Sequence, residues 1–266
     1  MLQEVRDGAT EEIEALPLRI YLTGRVCMET HEKRLDERHF RGRQGRLVFS
    51  YLACEHHRAV SRDELAEELW SEVLPSSWER SLSAIISKLR ALLGGVGPPG
   101  TTLASSFGSY QLRLPADAWI DVEAAAEALD YAESALRDGR PRQAWGWAQA
   151  TYHISRRPFL TGEDGPWVTQ KRAELRDMLV RVHDCLGEIF IFSGEPALAA
   201  KHAEQALILE PLRESSYRLL MSAHDAAGNR AQALSVYERC RGLLTEELGV
   251  SPSPQTEAVY LKILRS

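Results

Sequence analysis

The sequence has no run approaching the roughly 18 apolar residues of a membrane span. Its first residues, MLQEVRDGATEEIEA, are acidic where a secretory leader starts basic and turns apolar. Both absences point to a cytoplasmic protein with no membrane partner. Cysteine is scarce and scattered. Cys27, Cys54, Cys185 and Cys240 form neither a C-x-x-C pair nor a zinc-ligand spacing with histidine, so they read as reduced thiols, with no metal expected. The segment GVGPPGTT lacks the lysine of a phosphate loop, and its two prolines remove amides that would cradle phosphate. No cofactor is expected, and no Ser-His-Asp or paired-carboxylate spacing supports an enzyme.

A strong excess of positive charge is also missing. The net charge is −6, but it is unevenly spread: residues 1–17 hold one basic and five acidic groups, 18–117 hold 14 and 12, and 118–266 hold 17 and 21. The middle block is thus +2, which permits contact with nucleic acid without demanding it.

What is present is a clear succession of patterns. Leu18, Ile20 and Leu22 alternate with Arg19 and Tyr21, and Val26 and Met28 alternate after Gly24, so two short strands with a turn are expected after an acidic, flexible tail over 1–17. Residues 43–57 carry Leu47, Val48, Tyr51 and Leu52 on one helical stripe. Ser61-x-x-Glu64 has the form of a capping box and starts a second helix near Arg62, with Leu65, Ala66, Leu69 and Trp70 inward. Ser76-x-x-Glu79 repeats that signature before a third helix, which carries Leu82, Ile85, Ile86, Leu89 and Leu93 inward and is expected to stop at Gly94 and Gly95. LASSFGSYQLRL then reads as a β-hairpin. Strands, three helices and a hairpin make a winged helix-turn-helix with an extra N-terminal sheet over 18–117.

From residue 118 onward the expectation is all helix. Gly194 and Ala199 recur as Gly228 and Ala233; His183, Leu186 and Phe190 recur as Tyr217, Leu220 and His224, a shift of 34 residues. That is the tetratricopeptide period, in which glycine frees the turn and small alanines let paired helices approach. Gly139 and Ala144 look like a degenerate third copy. Trp145, Trp147 and Trp167 could line a ligand cavity, but read better as core between hairpins. His56, His57, His183, His202 and His224 read as helix-end or surface residues rather than ligands. The fold class is therefore mainly α, a winged helix followed by a tetratricopeptide-like domain over 118–266.

On a wheel, the outer face of the third helix carries Arg80, Ser83, Ala84, Ser87 and Ala91, edged by Lys88 and Arg90. Small residues around a few cations suit a helix close to base edges in the major groove. The amides near Ser61 and Ser77, at the starts of the second and third helices, could hold phosphates. The alternative is that this face packs on the repeat domain.

SRDELAEELW, ISKLRALL and a hairpin ending SYQLRL resemble an OmpR/PhoB-type winged helix, and IDVEAAAEAL with EPLRESSYRLLMSAHDAAGNRAQALSVYERCRGLLTEELGVSPSP resembles the bacterial transcriptional activator domain. Together they resemble the Streptomyces antibiotic regulatory protein family over nearly all of the chain after residue 17. The resemblance implies a transcriptional activator that binds duplex DNA, typically direct repeats at a promoter, and recruits RNA polymerase, with a homodimer as a further partner. It places Arg80, Ser87, Lys88 and Arg90 where such a helix contacts DNA and Ser105 to Ser109, including Ser106 and Ser109, on the wing. Ser87 stands where that pattern commonly has arginine, and the wing tip SSFGS has no basic residue. The rival reading is a helical-repeat adaptor whose winged helix binds protein.

Overall fold

The structure is a computed structural model and describes residues 17–40, 42–70 and 73–265; the acidic tail lies outside these apart from its last residue. The chain divides into two compact units, the first ending at Ile120 and the second beginning at Asp121.

In the first unit, the alternating apolar residues build strands β1 (Arg19–Tyr21) and β2 (Cys27–Glu29), paired antiparallel with Ile20 opposite Met28. Two strands beyond those expected complete this sheet. β3 (Arg34–Asp36) pairs with β2, and β7 (Trp119–Ile120) pairs parallel with β1, giving the order β3-β2-β1-β7. β7 draws Trp119 and Ile120 into the first unit, although the sequence leads one to expect all helix from residue 118 onward. Two residues are too few to show a period.

Helices α1 (Arg43–Cys54), α2 (Arg62–Leu69) and α3 (Trp78–Val96) follow, with β4 (Val60–Ser61) between the first two. The hairpin β5 (Thr102–Ser106) and β6 (Ser109–Arg113) joins β4 in a sheet of order β4-β6-β5. Ser61 caps α2 as expected, its Oγ accepting from the Glu64 amide at 3.1 Å. The Glu64 carboxylate reaches back to the Ser61 backbone, as the capping box expects, and is held by other groups as well. It accepts from Tyr51 Oη at 2.6 Å and from the Arg58 guanidinium, which holds its pKa down at about 2.

The start and stop of α3 differ from expectation. Ser77, not Ser76, is the N-cap residue, and its side chain makes no cap hydrogen bond. Gly94 and Gly95 lie inside the helix, and Gly97 ends it. A Cβ at Gly97 would come within 2.8 Å of the Leu93 carbonyl oxygen and of Thr101 Cβ, so the chain can leave the helix there only without a side chain. Leu82, Ile86, Leu89 and Leu93 are buried, with Ile85 partly so.

Among the described residues the second unit is seven helices: α4 (Asp121–Arg137), α5 (Pro141–Ser155), α6 (Pro166–Phe192), α7 (Pro196–Leu209), α8 (Glu214–Ala226), α9 (Arg230–Leu248) and α10 (Pro254–Arg265). Three hairpins, α4–α5, α6–α7 and α8–α9, share one turn. Gly139, Gly194 and Gly228 all adopt positive φ, and the residue after each donates to the carbonyl five residues back: Arg140 to Ala135, Glu195 to Phe190, Asn229 to His224. This is the Schellman arrangement, which satisfies carbonyls that a helix end leaves orphaned. Ala144, Ala199 and Ala233 are each 0% exposed, where the hairpin partners meet. The degenerate copy at Gly139 is therefore a true hairpin, and α10 closes the array against α8 and α9.

Polar ties lock the order of the hairpins. Asp184 on α6 accepts from Arg213 Nε at 2.9 Å, Ser215 Oγ at 2.8 Å and Ser216 Oγ at 2.6 Å, which joins α6 to the start of α8. Trp167 is core, as read. Trp145 and Trp147 are not: they are 42% and 49% exposed. The buried face of α5 is made by smaller residues, Ala144, Ala148 and Thr151 among them; Trp145 rests edge-on to Phe190 and Trp147 against Tyr131 with much of each ring in solvent.

Nor is His183 at a surface or helix end. It is buried, with Nδ1 2.9 Å from Nδ1 of His202 and both rings against Tyr152. One ring must donate and the other accept, so the pair needs at least one neutral imidazole. Burial pushes His183 down to about 4, with the His202 charge adding to it, and burial also lowers His202. The unfolded chain thus binds more protons than the folded one between the ordinary value of 6.5 and about 4, so stability is full above pH 6.5 and declines as pH falls through that window. We expect thermal melts from pH 7.5 to 4.5 to lose about 2–3 kcal/mol through this pair. His183→Gln should flatten the decline, and an equal slope in that variant would remove the pair as its cause.

Candidate nucleic-acid interface

The buried stripe of α3 fixes its outer face. Arg80, Ser83, Ala84, Ser87, Lys88 and Ala91 are all exposed, and they form a shallow strip of small side chains with cations at its start and rim. The fold thus brings Arg80, Ser83, Ser87 and Lys88 together on one open surface.

Arg90 has a different setting. Its Nε donates to the Leu103 carbonyl of β5 at 2.9 Å, so it staples α3 to the wing. Beside it lies an open groove of about 320 Å³ between α3 and the hairpin, lined by Arg62, Ser83, Ile86, Arg90 and the wing residues Ser105 to Tyr110. Ser106 and Ser109 face each other across the wing turn.

At the start of α2 the amides expected to hold phosphate are largely occupied. Arg62 N donates to the Gly108 carbonyl at 3.0 Å, and Glu64 N goes to Ser61 Oγ. The first bond ties the helix to the wing turn, and the second is the helix's own cap. At the start of α3, Ser77 is exposed and its hydroxyl caps nothing, although the Trp78 amide is taken by Pro75 O at 3.0 Å.

Two residues of this surface escape a sequence reading. Arg62 Nε donates to Tyr110 Oη at 3.2 Å and its guanidinium lies 5.8 Å from that ring, so a residue that reads as an ordinary first-turn arginine becomes a wall of the groove. Phe107 stands at the wing tip, wholly exposed. Its signal was available: an aromatic residue before glycine in a two-residue hairpin turn, where asparagine is usual. Among the described residues no helix is long and apolar enough to cross a membrane.

A trihelical core with a β-hairpin wing, followed by helical hairpins of 34-residue period, defines a winged helix-turn-helix protein with a tetratricopeptide-like second domain. Residues 120–264 match the family described as the bacterial transcriptional activator domain, and the chain belongs to that family, in the Streptomyces antibiotic regulatory protein arrangement. It is 29% identical to the regulatory protein AfsR of Streptomyces griseus over 223 residues, 84% of this chain and 22% of that protein. It is 29% identical over 222 residues to the transcriptional regulatory protein EmbR of Mycobacterium tuberculosis, 83% of this chain and 57% of that one. The solved structure of M. tuberculosis EmbR in complex with a low-affinity phosphopeptide matches 95% of this chain and 66% of its own, with a TM-score of 0.83 at 27% identity. The chain thus spans less than two thirds of these relatives.

Proposed function

We propose that the chain is a sequence-specific transcriptional regulator that binds promoter DNA through its first unit, with α3 in the major groove. The observation that carries this reading is the open outer face of α3, small at Ser83, Ala84 and Ser87 and cationic at Arg80 and Lys88. A merely solvated helix face more often carries long Glu and Lys side chains. The family and the names of the relatives point the same way. Activation, binding to direct repeats, contact of the second unit with RNA polymerase and pairing with a second protomer belong to the same proposal. Its support for a protein-contact surface is the exposure of Tyr131, Trp145, Trp147 and Phe192 on the second unit.

Salt-dependent binding to duplex DNA tests this reading against a protein adaptor, because phosphate contacts release counterions. Arg80, near the start of α3, can reach a base edge, whereas Lys88 at the rim suits a phosphate. Lys88→Ala should weaken all duplexes about equally and lower the salt slope by about one. Arg80→Ala should cost about 1–3 kcal/mol on the preferred site and much less elsewhere. Fluorescence anisotropy titrations at several salt concentrations read both; two variants with the same loss on every duplex would show that Arg80 reads no base.

A further inference from the structure

The turn of the wing carries a side chain that its own backbone disfavours. Between Ser106 and Ser109 only two residues reverse the chain, Phe107 at φ 47° and Gly108 at φ 75°. Positive φ at both central positions marks the type I′ hairpin turn, which asparagine and glycine fill readily. A bulky aromatic residue there is a conformational outlier, and such outliers persist where another requirement holds them. The fold gives Phe107 nothing in return, since its relative exposure is 106%.

The surroundings narrow what that ring is for. SSFGS holds no lysine or arginine, so the tip is not built to hold phosphate. Phe107 lines the same groove as Ser83, Ile86 and Arg90 of α3, which puts it on the side of the proposed DNA-reading helix. Arg90 on Leu103 O, and Arg62 N on Gly108 O, fix the hairpin at its base and at its turn. A five-residue strand extends about 17 Å. Half a turn of B-DNA, the step from a major groove to the adjacent minor groove, is also about 17 Å.

We propose that Phe107 is an apolar wedge that enters the minor groove next to the major groove occupied by α3. The ring packs between sugars and partly unstacks one base step, so its ligand is a deformable pyrimidine–purine step rather than a hydrogen-bonding base. The wing then selects sites by the energy needed to open that step. The inference rests on the DNA-binding reading above and adds to it a residue that reads deformability.

The test uses the full chain and a duplex that it selects from a random-sequence pool. Phe107→Ala should weaken binding to that duplex by about tenfold to a hundredfold, the scale of an aromatic contact with a base. The salt slope should stay unchanged, since no phosphate contact is lost. Replacing the pyrimidine–purine step under the wing by an A-tract should weaken the wild type and leave Phe107→Ala indifferent. Phe107→Asn should show the same loss of affinity with an equal or higher melting temperature, because asparagine suits the turn; a structural role for the ring would lower both. Affinity within twofold of wild type for Phe107→Ala, or a changed salt slope, overturns the wedge alone. Failure of the wild-type chain to select any duplex overturns the DNA-binding reading and the wedge with it. A change of oligomeric state in Phe107→Ala with unaltered DNA affinity assigns the ring to a protein contact and overturns the wedge.

Discussion

Ser87→Glu is expected to remove operator binding, by on the order of a hundredfold or more, while leaving the fold intact. Ser87 lies on the exposed face of α3, one turn beyond Ser83 and beside Lys88, so the substitution disturbs no packing. A carboxylate there would enter a groove lined by phosphates. Like charges forced together at an interface cost several kcal/mol, and Lys88 alone cannot offset that against two phosphate strands. Anisotropy on the selected duplex reads the loss, and circular dichroism with a melt confirms the fold. A folded Ser87→Glu chain that binds as tightly as wild type would mean that α3 is outside the groove, and the adaptor reading would take its place.

How much of this was legible follows from what each pattern has to say. Period-2 alternation at Leu18, Ile20 and Leu22 and helical stripes such as Leu82, Ile86 and Leu89 report burial directly, so these elements appear where the residues place them. The recurrence of glycine and alanine reports a turn geometry, and the bond from the residue after Gly139, Gly194 or Gly228 to the carbonyl five residues back is its physical content. β3 and β7 were not legible. β7 has two residues and β3 a single apolar one, Leu35, between charged neighbours, so neither shows alternation, and each pairs along the edge of a neighbouring strand.

Contacts between elements explain the other differences. Glu64 returns to the Ser61 backbone as its spacing announces, while the Arg58 guanidinium and the Tyr51 hydroxyl, which no spacing announces, hold the same carboxylate. Gly94 and Gly95 could end α3, yet the tight contact with Thr101 falls at Gly97. For the candidate interface, the wheel places Arg80, Ser83 and Ser87 on one outer face edged by Lys88 and Arg90 because they share one helix. The place of Arg62 in the groove and the bond from Arg90 to β5 depend on how the hairpin sits against α2 and α3, and only coordinates relate them. His183 and His202 meet from two helices, so neither position alone marks a pair.

Glu214→Ala is expected to lower stability by about 2–4 kcal/mol, the range for removing a charged acceptor from several partly buried hydrogen bonds. Its carboxylate, at the start of α8, accepts from Ser253 N at 2.8 Å, Ser253 Oγ at 2.7 Å and Thr256 Oγ1 at 2.5 Å. Those donors belong to the first turn of α10 and the residue before it, so a side chain from one helix caps another and places negative charge at its N-terminus. The PLRE and SPSP stretches of the sequence are thereby one physical unit. Desolvation raises the Glu214 pKa, but the bonds from Thr256 and Ser253 outweigh it and hold the net value below the usual range. The contribution is therefore complete above the unfolded value near 4.5 and is lost as pH falls through the lower folded value. Removing the carboxylate leaves the fully buried Thr256 hydroxyl with Arg218 and Ser253, and loosens α10, whose Ile263 packs in the cluster with Leu220, Tyr237 and Leu244. Urea unfolding of the variant at pH 7 should show the loss, together with faster amide exchange along α10. A change below about 0.5 kcal/mol would mean that apolar packing alone seats that helix.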